Sequence, residues 1–85
     1  MSASNLPPIV DVIEVAPLPD YRVRLLFEDG KRGIYDVSPL VGFGVFRQLE
    51  DPRVFDAVHV EYGTVAWPGG VDIAPEELYE NCATL

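Results

Sequence analysis

The sequence predicts a small α+β domain: an antiparallel sheet of about four strands in two hairpins, with one or two short helices packed on one face. Three observations carry this. Tyr21, Val23, Leu25 and Phe27 alternate with Arg22 and Arg24 and run into Asp29-Gly30, a pair that favours tight hairpin turns. A second pair of β-rich runs, 58–60 and 64–67, flanks Tyr62-Gly63. Helix-type stretches follow Gly44 and Ala74, the second with Pro75 at its first position and Glu76 and Glu77 in its first turn.

Taken in order, 9–16 is rich in Val and Ile and bounded by prolines. It reads as a strand, and its acids on both faces mark it as an edge. In the first hairpin a two-residue loop pairs Glu28 with Lys31, Leu25 with Ile34, Arg24 with Tyr35 and Val23 with Asp36. That register sets Arg22, Arg24 and Tyr35 on the outer face and Asp36 on the apolar one. A carboxylate there needs hydrogen bonds, and Ser38 stands ready to cap a turn begun by Pro39. After Gly42-Phe43-Gly44, residues Val45, Phe46 and Leu49 share a helical face that Phe55 completes. The second hairpin pairs Val60 with Val65 and Val58 with Trp67. Pro68-Gly69-Gly70 then leads to Val71-Asp72-Ile73 and to a last short helix that buries Leu78.

At 85 residues the chain fits one domain, 9–85, behind a flexible lead-in at 1–8 that lacks the basic patch and apolar stretch of a signal peptide. No apolar run approaches the ~20 residues that span a bilayer. Cys82 is the single cysteine, so neither an internal disulfide nor a cysteine-based zinc site is expected, and a reducing cytoplasm is the expected location. A formal charge of −8 repels phosphate backbones and anionic lipid, which disfavours nucleic acid and membrane as direct partners. The charge is uneven: 50–85 carries eight acids against Arg53 alone, a half that attracts a basic partner.

No catalytic site is expected. His59 lacks an orienting acid and a substrate cleft in the sequence pattern and reads as a partly exposed structural residue beside Ala66. Cys82 has no basic cluster near it to activate the thiol. Asp72, Glu76, Glu77 and Glu80 lack the spacing of a calcium loop, so no metal and no cofactor is expected. The segment from Trp67 to Asp72 stands out: a large aromatic beside a loop whose backbone admits close approach, with a carboxylate for a basic side chain. Trp67, Asp72, Tyr79 and Asp36 are the candidate partner- or ligand-binding residues. The competing reading of Trp67 is a side chain that closes the core.

Several stretches together resemble a bacterial family known as domain of unknown function 2442. They are Asp20-Tyr21, Leu25-Leu26-Phe27-Glu28-Asp29-Gly30, Tyr35-Asp36-Val37, Gly44-Val45-Phe46 with Leu49 and Asp51-Pro52, Phe55, and the run from Thr64 to Tyr79. Where the family usually has Asn or Asp between Trp-Pro and Gly, this chain has Gly69, which removes a side-chain hydrogen bond from that loop. The resemblance implies an interaction or regulatory module, in an arrangement like that of toxin and antitoxin pairs. The expected function is non-enzymatic: binding and regulating a protein partner, such as a small basic protein from an adjacent gene. The alternative is a small-molecule sensor with a pocket around Trp67, Asp72 and Tyr79. The exposed edge strand also invites a homodimer.

Overall fold

The computed structural model describes residues 10–85. The expected lead-in 1–8 lies outside them, as does the first residue of the expected strand 9–16. The described residues form seven strands in two antiparallel sheets with short helices between them, an α+β architecture. One sheet has the order β1 (Val12–Leu18), β2 (Arg22–Phe27), β3 (Arg32–Asp36) and β7 (Ala83–Thr84). The other has β4 (His59–Glu61), β5 (Thr64–Trp67) and β6 (Val71–Ile73). Between β3 and β4 lie α1 (Ser38–Val41), a 3₁₀ helix at Gly44–Glu50 and α2 (Pro52–Phe55); α3 (Pro75–Asn81) follows β6. β1 is an edge strand, as its sequence predicts.

The first hairpin departs from the expected register by one residue. Gly30 N–H donates to the Phe27 carbonyl and Phe27 N–H to the Lys31 carbonyl, which makes a three-residue loop closed by Gly30 at φ +92°. Val23 then opposes Tyr35, Arg24 opposes Ile34 and Arg22 opposes Asp36. Because side chains alternate with a period of two, this slip turns β3 over. Tyr35 is buried and Asp36 exposed, the reverse of what a two-residue loop requires. The expected Glu28–Lys31 contact is replaced as well: Glu28 accepts from Asp11 N–H, and Asp29 accepts from Lys31 N–H. Asp36, not Ser38, satisfies the start of α1, its carboxylate accepting from Ser38 N–H at 2.9 Å.

The second hairpin forms in the expected register, Val60 against Val65 and His59 against Ala66, around Tyr62 at φ 52° and Gly63 at φ 76°. β6 then pairs with β5. Gly44–Glu50 is a 3₁₀ helix, so residues three apart eclipse: Phe46 and Leu49 turn inward, and Val45 is left 69% exposed instead of sharing their face. Both sheets and the helices bury one core, in which Val23, Leu25, Phe27, Val37, Leu49, Val65, Trp67 and Leu78 are fully or almost fully enclosed. Val12 N–H donates to the Gly63 carbonyl at 2.8 Å and joins the two sheets at their edges.

Candidate functional site

A concavity of about 830 Å3 lies between the β1–β2 turn and α2. Pro17, Leu18, Pro19, Tyr21, Pro52 and Phe55 line it, with Ser38, Asp20 and Asp56 adding polar groups. Its shape comes from an unusual turn. Leu18 pairs with Arg22, which leaves Pro19-Asp20-Tyr21 to close the hairpin, and Asp20 and Tyr21 do so at φ 65° and 60°. Successive non-glycine residues in the left-handed region cost free energy that surrounding contacts must offset. Tyr21 supplies them: its ring meets Phe55 edge-on at 5.2 Å, and its hydroxyl donates to the Glu50 carbonyl at 2.7 Å. Asp51 starts α2 by accepting from Arg53 N–H, with Pro52 in the first turn, so both walls are conformationally restricted.

The four sequence-predicted residues do not converge on one site. Trp67 is 1% exposed and belongs to the core, as in the competing reading of this side chain. It stands behind the cleft: its indole N–H donates to the Phe55 carbonyl, and its ring lies beside Phe55. Tyr79 packs edge-on against Phe27 and donates its hydroxyl to Asp29 at 2.6 Å. Lys31 lies 4.0 Å above the Tyr79 ring and donates to the Tyr79 carbonyl, so this corner holds α3 against the first hairpin. The Tyr79 bond holds the Asp29 carboxyl below its ordinary pKa, with the Lys31 N–H bond adding to the effect. Asp36 is held low by its bonds to Ser38, the residue that also lines the cleft.

Asp72 is exposed on β6, in register with Ala66 and, one strand further, His59. A groove of about 210 Å3 runs here, lined by Trp67, Asp72 and the Gly69-Gly70 loop; Tyr79 is not among its walls. His59 is partly exposed, as expected, and its Nε2 lies 2.9 Å from Glu61. That carboxylate, followed by the Ala57 carbonyl, raises the imidazole pKa above its ordinary value. The neighbouring Thr64 hydroxyl is engaged by the Ile73 carbonyl. Gly69 has φ +93°, and Gln48 reaches the loop to donate to the Pro68 carbonyl at 2.7 Å. Among the described residues no three His, Cys, Asp or Glu side chains group closely enough to hold a metal ion. None of the described helices is long and apolar enough to cross a membrane.

Sequence reasoning missed the cleft because its walls come from three separated segments. The available signal was three prolines, Pro17, Pro19 and Pro52, around the Asp20-Tyr21 pair. Residues 12–84 match the model of the family described as "Protein of unknown function (DUF2442)". The chain belongs to this family. The DUF2442 match takes in both sheets and every residue that walls the cleft. A 77-residue stretch is 35% identical to part of UvrABC system protein B of Mycobacterium ulcerans (strain Agy99), covering 88% of this chain and 11% of that protein. Spanning so small a share of it, the DUF2442 chain resembles one segment of that protein. No solved structure matches the chain.

Proposed function

We propose that this domain is a non-enzymatic binding module that regulates a protein partner, and that the cleft between the β1–β2 turn and α2 receives a partner segment bearing an apolar side chain and a basic group. The supporting observation is the cleft itself: apolar walls of proline, leucine and aromatic rings, with the exposed carboxylates of Asp20 and Asp56 beside them. Proline walls lose little freedom on binding, which favours affinity from a small surface. The excess of acid in the second half adds long-range attraction for a basic partner. A cytoplasmic setting, with the partner encoded by an adjacent gene, completes the reading.

The test is co-expression with the adjacent gene's product and a native mass measurement. A stoichiometric complex is expected, lost in the Asp20→Asn/Asp56→Asn variant while its thermal unfolding stays unchanged. A complex indifferent to both substitutions overturns the cleft assignment. A volume of about 830 Å3 also lies in the range of small-molecule sites, which supports ligand sensing as the second reading. If no complex forms, a ligand screen by thermal shift, repeated on the same variant, decides for or against it.

A further inference from the structure

We propose that the outer face of the four-stranded sheet is a second docking surface, which takes an acidic segment of a partner protein with apolar side chains spaced between its carboxylates. The observed register carries the argument. Val23, Leu25 and Phe27 point into the core, so Arg22, Arg24 and Leu26 point away from it, together with their cross-strand partners Asp36, Ile34 and Arg32. Three of the chain's six basic residues thus share one sheet face in a protein of net charge −8.

Arg22 lies opposite Asp36 and donates from Nε to the Pro19 carbonyl. Arg24 and Arg32 have no side-chain partner by hydrogen bond or ion pair among the described residues. Arg24 lies between Ala16 and Ile34, and Arg32 lies opposite Leu26. The two arginines are diagonal neighbours, about 7–8 Å apart at that spacing. Among the described residues neither takes part in an ion pair, although acids outnumber bases by fourteen to six in the chain. Glu14, opposite Leu26, makes no ion pair with them either. Both arginines line a groove of about 380 Å3, with half-buried Leu26 and Ala16 and the exposed Glu14 also in its walls.

Charge and area select the occupant. Four strands about 4.8 Å apart and about five residues long present roughly 300 Å2, against about 800 Å2 per partner in a stable dimer. A second copy also brings another −8 to the encounter. An extended segment or short helix fits the area, and its carboxylates match two planar donor forks.

The test is an NMR titration of the whole chain with a short synthetic peptide of glutamates interspersed with leucines, beside a control in which lysine replaces each glutamate. Expected are salt-sensitive shifts at Arg24, Leu26, Arg32 and Ile34, and a dissociation constant raised about tenfold or more in Arg24→Gln/Arg32→Gln, with Arg24→Gln alone intermediate. Arg47→Gln, on the 3₁₀ helix, is expected to bind like the parent. Equal binding of the lysine peptide overturns the proposal. So does an absence of shifts at millimolar peptide, or a concentration-dependent dimer whose shifts map to this face. Cleft variants Asp20→Asn and Asp56→Asn are expected to leave this titration unchanged, which separates it from the partner reading above.

Discussion

Trp67 and Phe55 are joined twice: the indole N–H donates to the Phe55 carbonyl at 3.0 Å, and the two rings lie 5.9 Å apart at 33°. The three-stranded sheet is thereby tied to α2, and Phe55 in turn backs Tyr21 at the cleft. Trp67→Phe keeps most of the packing and removes one of two donors to the Phe55 carbonyl, which retains Val58 N–H at 3.2 Å, so a loss of about 0.5–1.5 kcal/mol is expected. Trp67→Ala adds a cavity, and a loss of about 3–5 kcal/mol is expected. Urea unfolding of both variants measures the difference. Equal losses would show that the ring packing contributes little beyond the hydrogen bond.

What the sequence made legible follows from how local each signal is. Tyr62-Gly63 fits one tight turn, and the second hairpin forms as read, with His59 beside Ala66. α3 likewise carries its own start signal in Pro75 and its acidic first turn. Asp29-Gly30 serves two loop lengths, since either can place Gly30 at positive φ, so the pattern alone leaves the register of β3 open. Tyr35 and Asp36 changed faces for that reason. β7 is two residues long and owes its place to a contact with Gly33 across the sheet, which no local pattern announces. Trp67 has the composition of a binding anchor and the burial of a core residue, a distinction that only tertiary packing draws.

Gly33 faces Cys82 so closely that a Cβ at this position meets the Cys82 sulfur, with the Cys82 Cβ at 3.0 Å. Gly33→Ala is expected to lose about 1–3 kcal/mol through overpacking. Cys82→Ala in the same chain removes the sulfur, so the double variant is expected to be more stable than the two single losses added together. A double-mutant cycle by chemical denaturation reads this directly, and strict additivity would place the strain elsewhere.

Tyr35 is buried on the inner face and donates its hydroxyl to Glu77 at 2.9 Å. Burial first, and then the Glu77 carboxylate, push its pKa from 10.0 up to about 12. The phenol is therefore protonated in the folded state over a range where the unfolded chain has lost that proton. Its contribution is complete below pH 10 and is lost as the pH rises towards 12. Tyr35→Phe is expected to flatten the alkaline fall in unfolding midpoint. A residual slope remains from Tyr79, whose pKa Asp29 raises in the same direction.

At the acid end the sign is opposite. Asp29 and Asp36 have carboxyl pKa values held below 3.8 by their hydrogen bonds, so the stability they confer is present above that pH and is lost as the pH falls through their folded values. Tyr79→Phe removes the leading cause at Asp29 and leaves the Ser38 bonds at Asp36 intact. NMR titration of the side-chain carboxyls is expected to show the Asp29 pKa rising in this variant while that of Asp36 stays in place. Movement of both would mean that α3 had left the first hairpin.

Asp20 and Tyr21 share the left-handed conformation but not its remedy. Asp20 is exposed and contributes its charge at the cleft mouth, so Asp20→Gly is expected to relieve backbone strain and to leave stability unchanged or up to about 1 kcal/mol higher. Tyr21→Gly relieves the same strain yet forfeits the edge contact with Phe55 and the hydroxyl bond to Glu50. Losing a large aromatic contact costs about 3–5 kcal/mol, well above the strain recovered, so a net loss is expected. Thermal unfolding of the two variants therefore moves in opposite directions or, for Asp20→Gly, not at all. If both stabilise the domain, Tyr21 does not hold the turn, and the cleft loses the side chain that positions its first wall.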